Sequence, residues 1–410
     1  MKIRGLIRMF SFTGWRLKEV TFSPEAVQVQ LVRDRRRRLR CPCCGRKVVG
    51  THEDLRTARD IPFGPATLVL IVYPAIRARC RCGWGSWLSP PQIDAGRKVT
   101  LRLLQQAVRL AKDLPLRKAA ELLGVSDTRL RRWDKSVLAE HLPRPNLDAL
   151  QFLLVDEKAI GQGHDYVTVV LNAETGELLH CHEGRKKESL QAFFDTLRKE
   201  QKANIQGVCV DRLGAYVSCV EEALPQAEII YDKFHLVRNF NDIVDKVRRE
   251  EWRRVKNAKD DRAVKLIQGQ RYNLLRRPEK NGKEQQSRLA ELLAVNEPLS
   301  QVYVLLDDFR NVLDQTYVGY AEKYLAMWIE TAMESGLAVV QHFAKRIRDV
   351  SRQVVNAVRY QLNNGRLEGF NNLIARILHR GCGYADTDYL KLKLRQAALP
   401  PERQVPVFQK

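Results

Sequence analysis

Three acidic residues stand where a chain could use them to bind metal. Asp156 follows the apolar run Phe152 to Val155 in "QFLLVDEKAI", and Asp211 follows a second apolar run in "IQGVCVDRLGAY". Glu368 lies in "NNGRLEGFNN", with Asn364, Asn371 and Asn372 at the i−4, i+3 and i+4 spacings that share a helix face. A rigid strand end holds a carboxylate well, and two carboxylates brought close repel each other unless cations lie between them. Magnesium takes hard oxygen ligands and suits a site of few carboxylates, waters and phosphate oxygens. Two such ions ~3.5–4 Å apart can activate an attacking oxygen and stabilise a leaving one in phosphodiester cleavage. Glu157 adjoins Asp156, but in a continuing strand it points to the opposite face, which excludes it as a ligand. Taken singly, Glu368 reads as a solvated acid facing a helix N-terminus; beside Asp156 and Asp211 it reads as the third ligand.

The cysteines form a second set. Cys41-x-x-Cys44 in "CPCCGRK" and Cys80-x-Cys82 in "RCRCGWG" are closely spaced pairs on or beside glycine turns. Four thiolates brought together match a tetrahedral structural zinc site. Cys43 and His52 are spare candidates, so the ligand set stays open. Cys181, Cys209, Cys219 and Cys382 are scattered and read as packing residues.

Around these residues the periodicity changes three times. The first thirty residues alternate, ending in "VQVQLV", which predicts a small β-rich start. From Lys98 to Leu138 the period is helical. "VTLRLLQQAVRLAKDL" predicts one helix and "LRKAAELLGVSDTRLRRWDKSVL" a helix, a turn at Gly124 and a second helix capped by Ser126. Leu130, Trp133 and Val137 face inward there, leaving Arg129, Arg131, Arg132 and Lys135 outward, as a major-groove reader requires. After the linker "HLPRPNLDAL" the pattern predicts β, β, β, α, β, α, β, with a hairpin turn near Glu174–Gly176 and "AEIIYDKFHLV" as the last strand. That order resembles the ribonuclease H fold, in which the strands carrying Asp156 and Asp211 are neighbours. From Arg238 to Val358 the chain reads as helical with a break at "RRPEKNG", too long for a loop and hence an inserted all-α region. Trp252 and Trp328 within it read as packing residues ahead of base-stacking ones.

The 410-residue chain carries a formal charge of +22, with 44% hydrophobic and 29% charged residues. This describes a globular protein with a polyanionic partner, above all nucleic acid. No stretch approaches the ~18 apolar residues of a membrane span, and no export signal is evident, so a cytoplasmic location is expected.

These parts together resemble a bacterial insertion-sequence transposase of the ISL-three family, of the DDE class. The resemblance rests on "CPCC…CRC", "LRKAAELLGVSDTRLRRW", "VDEKAIGQGHDYVTVV", "VCVDRLGAY", "YDKFHLVRNFND", "QGQRYNLLRRPEK" and "NNGRLEGFNN", in that order over nearly the full length. It implies cleavage at the element's terminal inverted repeats and joining of the 3′ ends to target DNA. Asp156, Asp211 and Glu368 would hold two magnesium ions, with manganese able to substitute. Water would be the nucleophile for cleavage and a 3′-hydroxyl for strand transfer. Asp232 and His235 match the family's D-x-x-H element and would order the site or contact DNA, while Asn364, Arg366, Asn371 and Asn372 would position it. Two departures are Cys43 within the first knuckle and Asn363–Asn364 where the family usually carries basic or serine residues. The expected division is a zinc-binding β domain over 1–92, a helix-turn-helix domain over 93–142, catalytic core over 143–237 and 359–410, and a helical insertion over 238–358. Both element ends must be held together, so a homodimer or larger assembly on DNA is expected, associated with the nucleoid. The competing readings are a repressor without catalysis and a structure-selective nuclease on the same fold.

Overall fold

A computed structural model describes residues 11–63, 67–161, 165–210, 215–362 and 365–403. The chain divides into two compact units, Met1–Arg144 with Leu373–Lys410, and Pro145–Asn372.

The first unit contains a seven-stranded sheet: β1 (Trp15–Phe22), β2 (Ala26–Arg33), β3 (Val49–Phe63), β4 (Thr67–Arg79), β5 (Gly85–Leu88), β6 (Ile93–Asp94) and β7 (Val99–Thr100). Its order is β1-β2-β4-β3-β7-β6, with β5 on β4. Alternation in "AVQVQLVR" buries Val27, Val29 and Leu31 with Ile71 and Tyr73 of β4. The long antiparallel β3–β4 ladder sets Val49 opposite Arg79, so the loop before β3 and the loop after β4 meet at one end of the sheet.

Three helices follow: α1 (Leu101–Asp113), α2 (Leu116–Leu122) and α3 (Asp127–His141). Ala119, Ala120, Leu123, Leu130, Trp133 and Val137 share a core with Leu103 and Leu104, as the helical period requires. Gly124 has φ +60, a conformation costly to a side chain, and the Ser126 hydroxyl accepts the Arg129 N–H at 3.3 Å to start α3.

Tyr389 belongs to this same core, although it lies on a helix near the other end of the chain, Thr387–Ala397. Its hydroxyl donates to Asp134 Oδ2 at 2.6 Å. Lys393 is buried beside it and spends all three ammonium hydrogens, on Ala111 O (3.0 Å), Asp134 Oδ2 (3.0 Å) and Gln396 Oε1 (2.9 Å). Lys135 is not left outward as the sequence predicts: Asp386, which caps that helix, holds it at 2.8 Å. Cys382 is exposed at φ +51 rather than packed, whereas Cys209 and Cys219 are buried.

The second unit contains a five-stranded sheet in the order β10-β9-β8-β11-β12. In chain order its elements are β8 (Phe152–Ala159), β9 (Tyr166–Asn172), β10 (Leu178–Glu183), α4 (Lys187–Phe194), α5 (Lys199–Asn204), β11 (Gly207–Val210), α6 (Ala215–Ala223) and β12 (Glu228–Tyr231). The strand and helix order is the expected one, except that the first amphipathic stretch breaks into α4 and α5. β10, β9 and β8 run antiparallel, and β8, β11 and β12 run parallel. Gly176 turns the β9–β10 hairpin at φ +75.

Among the described residues nine more helices follow, α7 (Lys233–Asn257), α8 (Asp261–Ile267), α9 (Arg271–Leu275), α10 (Lys283–Val295), α11 (Glu297–Leu313), α12 (Val318–Glu334), α13 (Ala338–Asp349), α14 (Ser351–Tyr360) and α15 (Gly365–Gly381); the Thr387–Ala397 helix is then α16. The last strand of the sheet stops at Tyr231, earlier than "AEIIYDKFHLV" suggests, because Asp232 caps α7 by accepting the Phe234 N–H at 2.7 Å. The break expected at "RRPEKNG" is a short turn, Pro278–Lys280. Trp328 is buried, donates to Leu305 O at 2.8 Å and packs 4.6 Å from the Phe309 ring, while Trp252 lies partly buried under Lys256. Both are packing residues. α14 returns to the sheet, where Asn356 Nδ2 donates to Ile229 O of β12 at 3.0 Å. The division between units falls within α15, after Asn372. No described helix is long and apolar enough to cross a membrane.

Candidate active site and metal centre

β8 runs on through Asp156 to Ala159, so this acid does not end its strand as the sequence suggests. Among the described residues β11 pairs with β8 from Phe152 to Val155, and β9 stays beside β8 to Ala159. Val155, Val210 and Tyr231 lie level on three parallel strands, and in the sequence each is followed by an aspartate: Asp156, Asp211 and Asp232. Asp211 lies outside the described residues.

Leu153 and Val155 pack with Phe193 and Tyr216 on one face, so strand alternation puts Asp156 on the other. Asp156 is 6% exposed. Its Oδ1 accepts the Glu157 N–H at 2.7 Å and its Oδ2 accepts Asn371 Nδ2 at 2.5 Å; among the described residues it has no ion-pair partner. A buried carboxylate held by two neutral donors keeps a large part of its desolvation cost uncompensated. Asn371 Oδ1 is also buried and has no hydrogen-bond partner among the described residues.

A cavity of about 390 Å³ opens beside Asp156 and is lined further by Asp232, Phe234, His235, Arg238, Glu368 and Asn372, among others. Asp232 is 4% exposed; one oxygen caps α7 and the other meets His235 Nδ1 at 3.0 Å. Glu368 sits exposed in the first turn of α15. Asn371 and Asn372 line the cavity with Glu368, and Asn371 reaches across to Asp156. Asn364 lies outside the described residues. Arg366 is not a lining residue; its guanidinium lies against Gly176 in the β9–β10 turn. Glu157 does border the cavity, but its carboxylate acts on Tyr216. Burial pushes the Tyr216 hydroxyl far above its usual range, the Thr168 hydroxyl at 2.7 Å lowers it, and Glu157 raises it. Sequence reasoning gave Arg238 no role at the site. The signal was its spacing: His235 and Arg238 stand three apart on α7, hence on one face.

The cysteine loops meet separately, in the first unit. The sulfurs of Cys41, Cys44, Cys80 and Cys82 lie within 4.8 Å of one another. Each pair is held in a tight turn: Gly45 N–H donates to Cys41 O at 2.9 Å and Gly83 N–H to Cys80 O at 3.1 Å, both glycines at positive φ. The Trp84 N–H bonded to Cys82 holds that thiol below its ordinary range. The Arg46 N–H lowers Cys44, but burial and the neighbouring sulfurs outweigh it and push this thiol up to about 12. Four sulfurs competing for protons form a donor set suited to a soft divalent ion. Cys43 is exposed outside this quartet, and repulsion from Cys82 raises it. His52 packs edge-on against Trp87 instead.

On α3, Arg129, Arg131 and Arg132 are exposed. Burial lowers the Arg59 guanidinium on β3, and the like charge of Arg129 lowers it further.

Comparison with known proteins assigns these parts. Residues 153–394 match a DDE domain of the ISL3 type, described as a transposase, and residues 88–138 match the helix-turn-helix domain of transposase family ISL3. The chain belongs to the ISL3 family of DDE transposases. It is 31% identical over 360 residues to the transposase for insertion sequence element IS1001 of Bordetella parapertussis, covering 87% of this chain and 88% of that one. It is 29% identical over 246 residues to the transposase for insertion sequence element IS1557 of Mycobacterium tuberculosis, 55% of each chain. As an ISL3 transposase the protein is an enzyme of DNA cleavage and transposition with a helix-turn-helix DNA-binding segment, and its family implies use of a divalent metal. Asp156 and Glu368, which both line the cavity, are hard oxygen donors of the kind such an ion takes.

Proposed function

We propose that Asp156, Asp211 and Glu368 are the catalytic acids and hold two magnesium ions, which manganese can replace, on a ribonuclease H-like core. The observation that carries this reading is Asp156, a buried carboxylate without a cationic partner among the described residues, beside a cavity it shares with Glu368. The level register of Val155 and Val210, each followed by an aspartate in the sequence, supports Asp211 as its companion. Bound ions would supply positive charge to the attacking and leaving oxygens of the scissile phosphodiester.

The protein's own groups prepare the site. Asn371 fixes the Asp156 carboxylate. Asp232 orients His235 through Nδ1, and Arg238 offers a cation to a DNA phosphate. Asn364, Arg366 and Asn372 serve as positioning residues around α15. Water attacks at the element end, and the freed 3′-hydroxyl then attacks target DNA.

Helices α7–α14 are read as an insertion into the core, corresponding to the expected 238–358 segment. The 1–92 segment carries structural zinc on Cys41, Cys44, Cys80 and Cys82. Arg129, Arg131 and Arg132, exposed on α3, contact the terminal inverted repeats. A homodimer or larger assembly, working on DNA of the cytoplasmic nucleoid, joins the two ends.

Labelled element-end DNA incubated with the protein and magnesium should be nicked at a fixed position. Asp156→Asn, Asp211→Asn and Glu368→Gln should each abolish nicking while leaving end binding intact. Nicking that survives Asp156→Asn would refute the assignment. The repressor reading instead expects no cleavage from any form.

A further inference from the structure

The second unit exposes a row of aromatic rings that packing does not explain. Tyr317, Tyr320 and Tyr324 follow one another at helical spacing along the start of α12 and are 72%, 56% and 41% exposed. Consecutive ring centroids are 6.1 Å apart, and the Tyr320 and Tyr324 rings lie near parallel, at 25°. The adjoining side of α12, with Leu325 and with Trp328 one turn beyond Tyr324, fills the core.

The row begins at a turn tied to the candidate active site. Lys233 Nζ donates to Leu313 O at 2.7 Å, joining the end of α11 to the first turn of α7. The residue after Lys233 is Phe234, which is 61% exposed and lines the cavity containing Asp156. Arg277 holds Asp314 at 2.6 Å on the same turn, and Arg276 beside it is exposed.

We propose that Tyr317, Tyr320 and Tyr324 form a stacking platform for unpaired DNA bases next to the cleavage site, with Arg276 meeting the strand's phosphates. The proposal rests on the reading of the Asp156 cavity as the active site. Charge selects the occupant: exposed rings edged by arginines on a chain of net charge +22 suit a polyanion with free aromatic faces. A duplex hides those faces within its own stack, so the strand must be unpaired.

The test compares two DNAs bound by the full chain without divalent cation, at one salt concentration. One is a blunt element end. The other adds a single-stranded flank of about six nucleotides, within the span of a typical single-strand site, carrying 2-aminopurine. The flank should tighten wild-type binding by about tenfold or more and quench the 2-aminopurine signal, as base–aromatic stacking does. Tyr320→Ala with Tyr324→Ala should erase both effects and leave blunt-end affinity unchanged, while Tyr320→Trp should preserve them. Because these rings are solvent-exposed, the melting temperature should hold, and the tryptophan variant provides a folded control. A flank that brings no gain in the wild type overturns the proposal. So does a double alanine variant that keeps the gain, or one that changes only the oligomeric state on gel filtration, which would mark the row as a contact between copies. Asp156→Asn should retain the flank effect while losing nicking, so retained nicking defeats the active-site reading and a lost tyrosine effect defeats this one.

Discussion

Replacing Lys393 with methionine keeps the length of the side chain and removes its ammonium. In the folded protein that ammonium has no water to spare: its side chain is 2% exposed and Asp134 is fully buried. The substitution strips three hydrogen bonds at 2.9–3.0 Å, leaves Ala111 O and Gln396 Oε1 without a donor, and leaves Asp134 facing only the Tyr389 hydroxyl. Asp134 Oδ1 already lacks a partner among the described residues, so none of them offers a second donor to absorb the charge. Breaking a buried pair from one side costs about 3–5 kcal/mol. At roughly 2–4 °C per kcal/mol for a unit of this size, thermal unfolding of the first unit should fall by about 6–20 °C. Asp134→Leu added to Lys393→Met removes the stranded charge and should recover most of that loss, short of about 1 kcal/mol for the orphaned Tyr389 hydroxyl. Thermal unfolding followed by circular dichroism reads all three proteins. A single variant within about 1 kcal/mol of wild type, or a double variant no better than the single, refutes the reasoning.

Three further outcomes are expected. Asn371→Ala removes the donor on Asp156, so the magnesium needed for half-maximal nicking should rise about 10–100-fold with end binding unchanged; an unchanged cation titration contradicts this. Cys80→Ser should lower bound zinc on elemental analysis and destabilise the first unit, and a chelator should destabilise the wild type but not the variant. Burial works against the charge of Glu251, but Arg254 and the Asn296 amide at 2.9 Å outweigh it and hold its carboxyl below the ordinary range. A carboxyl depressed on folding stabilises above its unfolded pKa of about 4.3, and that stability is lost as pH falls through the lower folded value. Glu251→Gln should therefore lose less stability than wild type between neutral pH and pH ~3 in urea titrations, and identical pH profiles would show that the pair contributes nothing.

The sequence showed most clearly what depends on local period. Apolar runs at Phe152 to Val155 and at Val208 to Val210 announce strands, and the Leu130, Trp133 and Val137 spacing announces the inward face of α3. The cysteine pairs were legible because each sits on its own glycine turn, but only the folded chain shows which four sulfurs cluster and that His52 pairs with Arg77 on the β3–β4 ladder. What stayed hidden depends on neighbours. β8 continues past Asp156 through Glu157 and Lys158 because β9 still pairs with it, which no apolar run can signal. Asp232 reads as part of a strand until its side chain is seen capping α7. Asn371 stands three residues from Glu368, and that spacing masked its bond to Asp156, 215 positions away. Lys135 looked solvated because Asp386, its partner, lies 251 residues on.

That distant partnership reaches further, since Tyr389 enters the apolar cluster of α1–α3 and bonds Asp134 across 255 residues. Removing α16 would take an aromatic ring from that core and strip buried Asp134 of the Tyr389 hydroxyl and the Lys393 ammonium together. The DNA-reading helices are thus finished by residues that lie beyond the candidate catalytic acids along the chain, so their grip on DNA and the integrity of α16 should rise and fall as one.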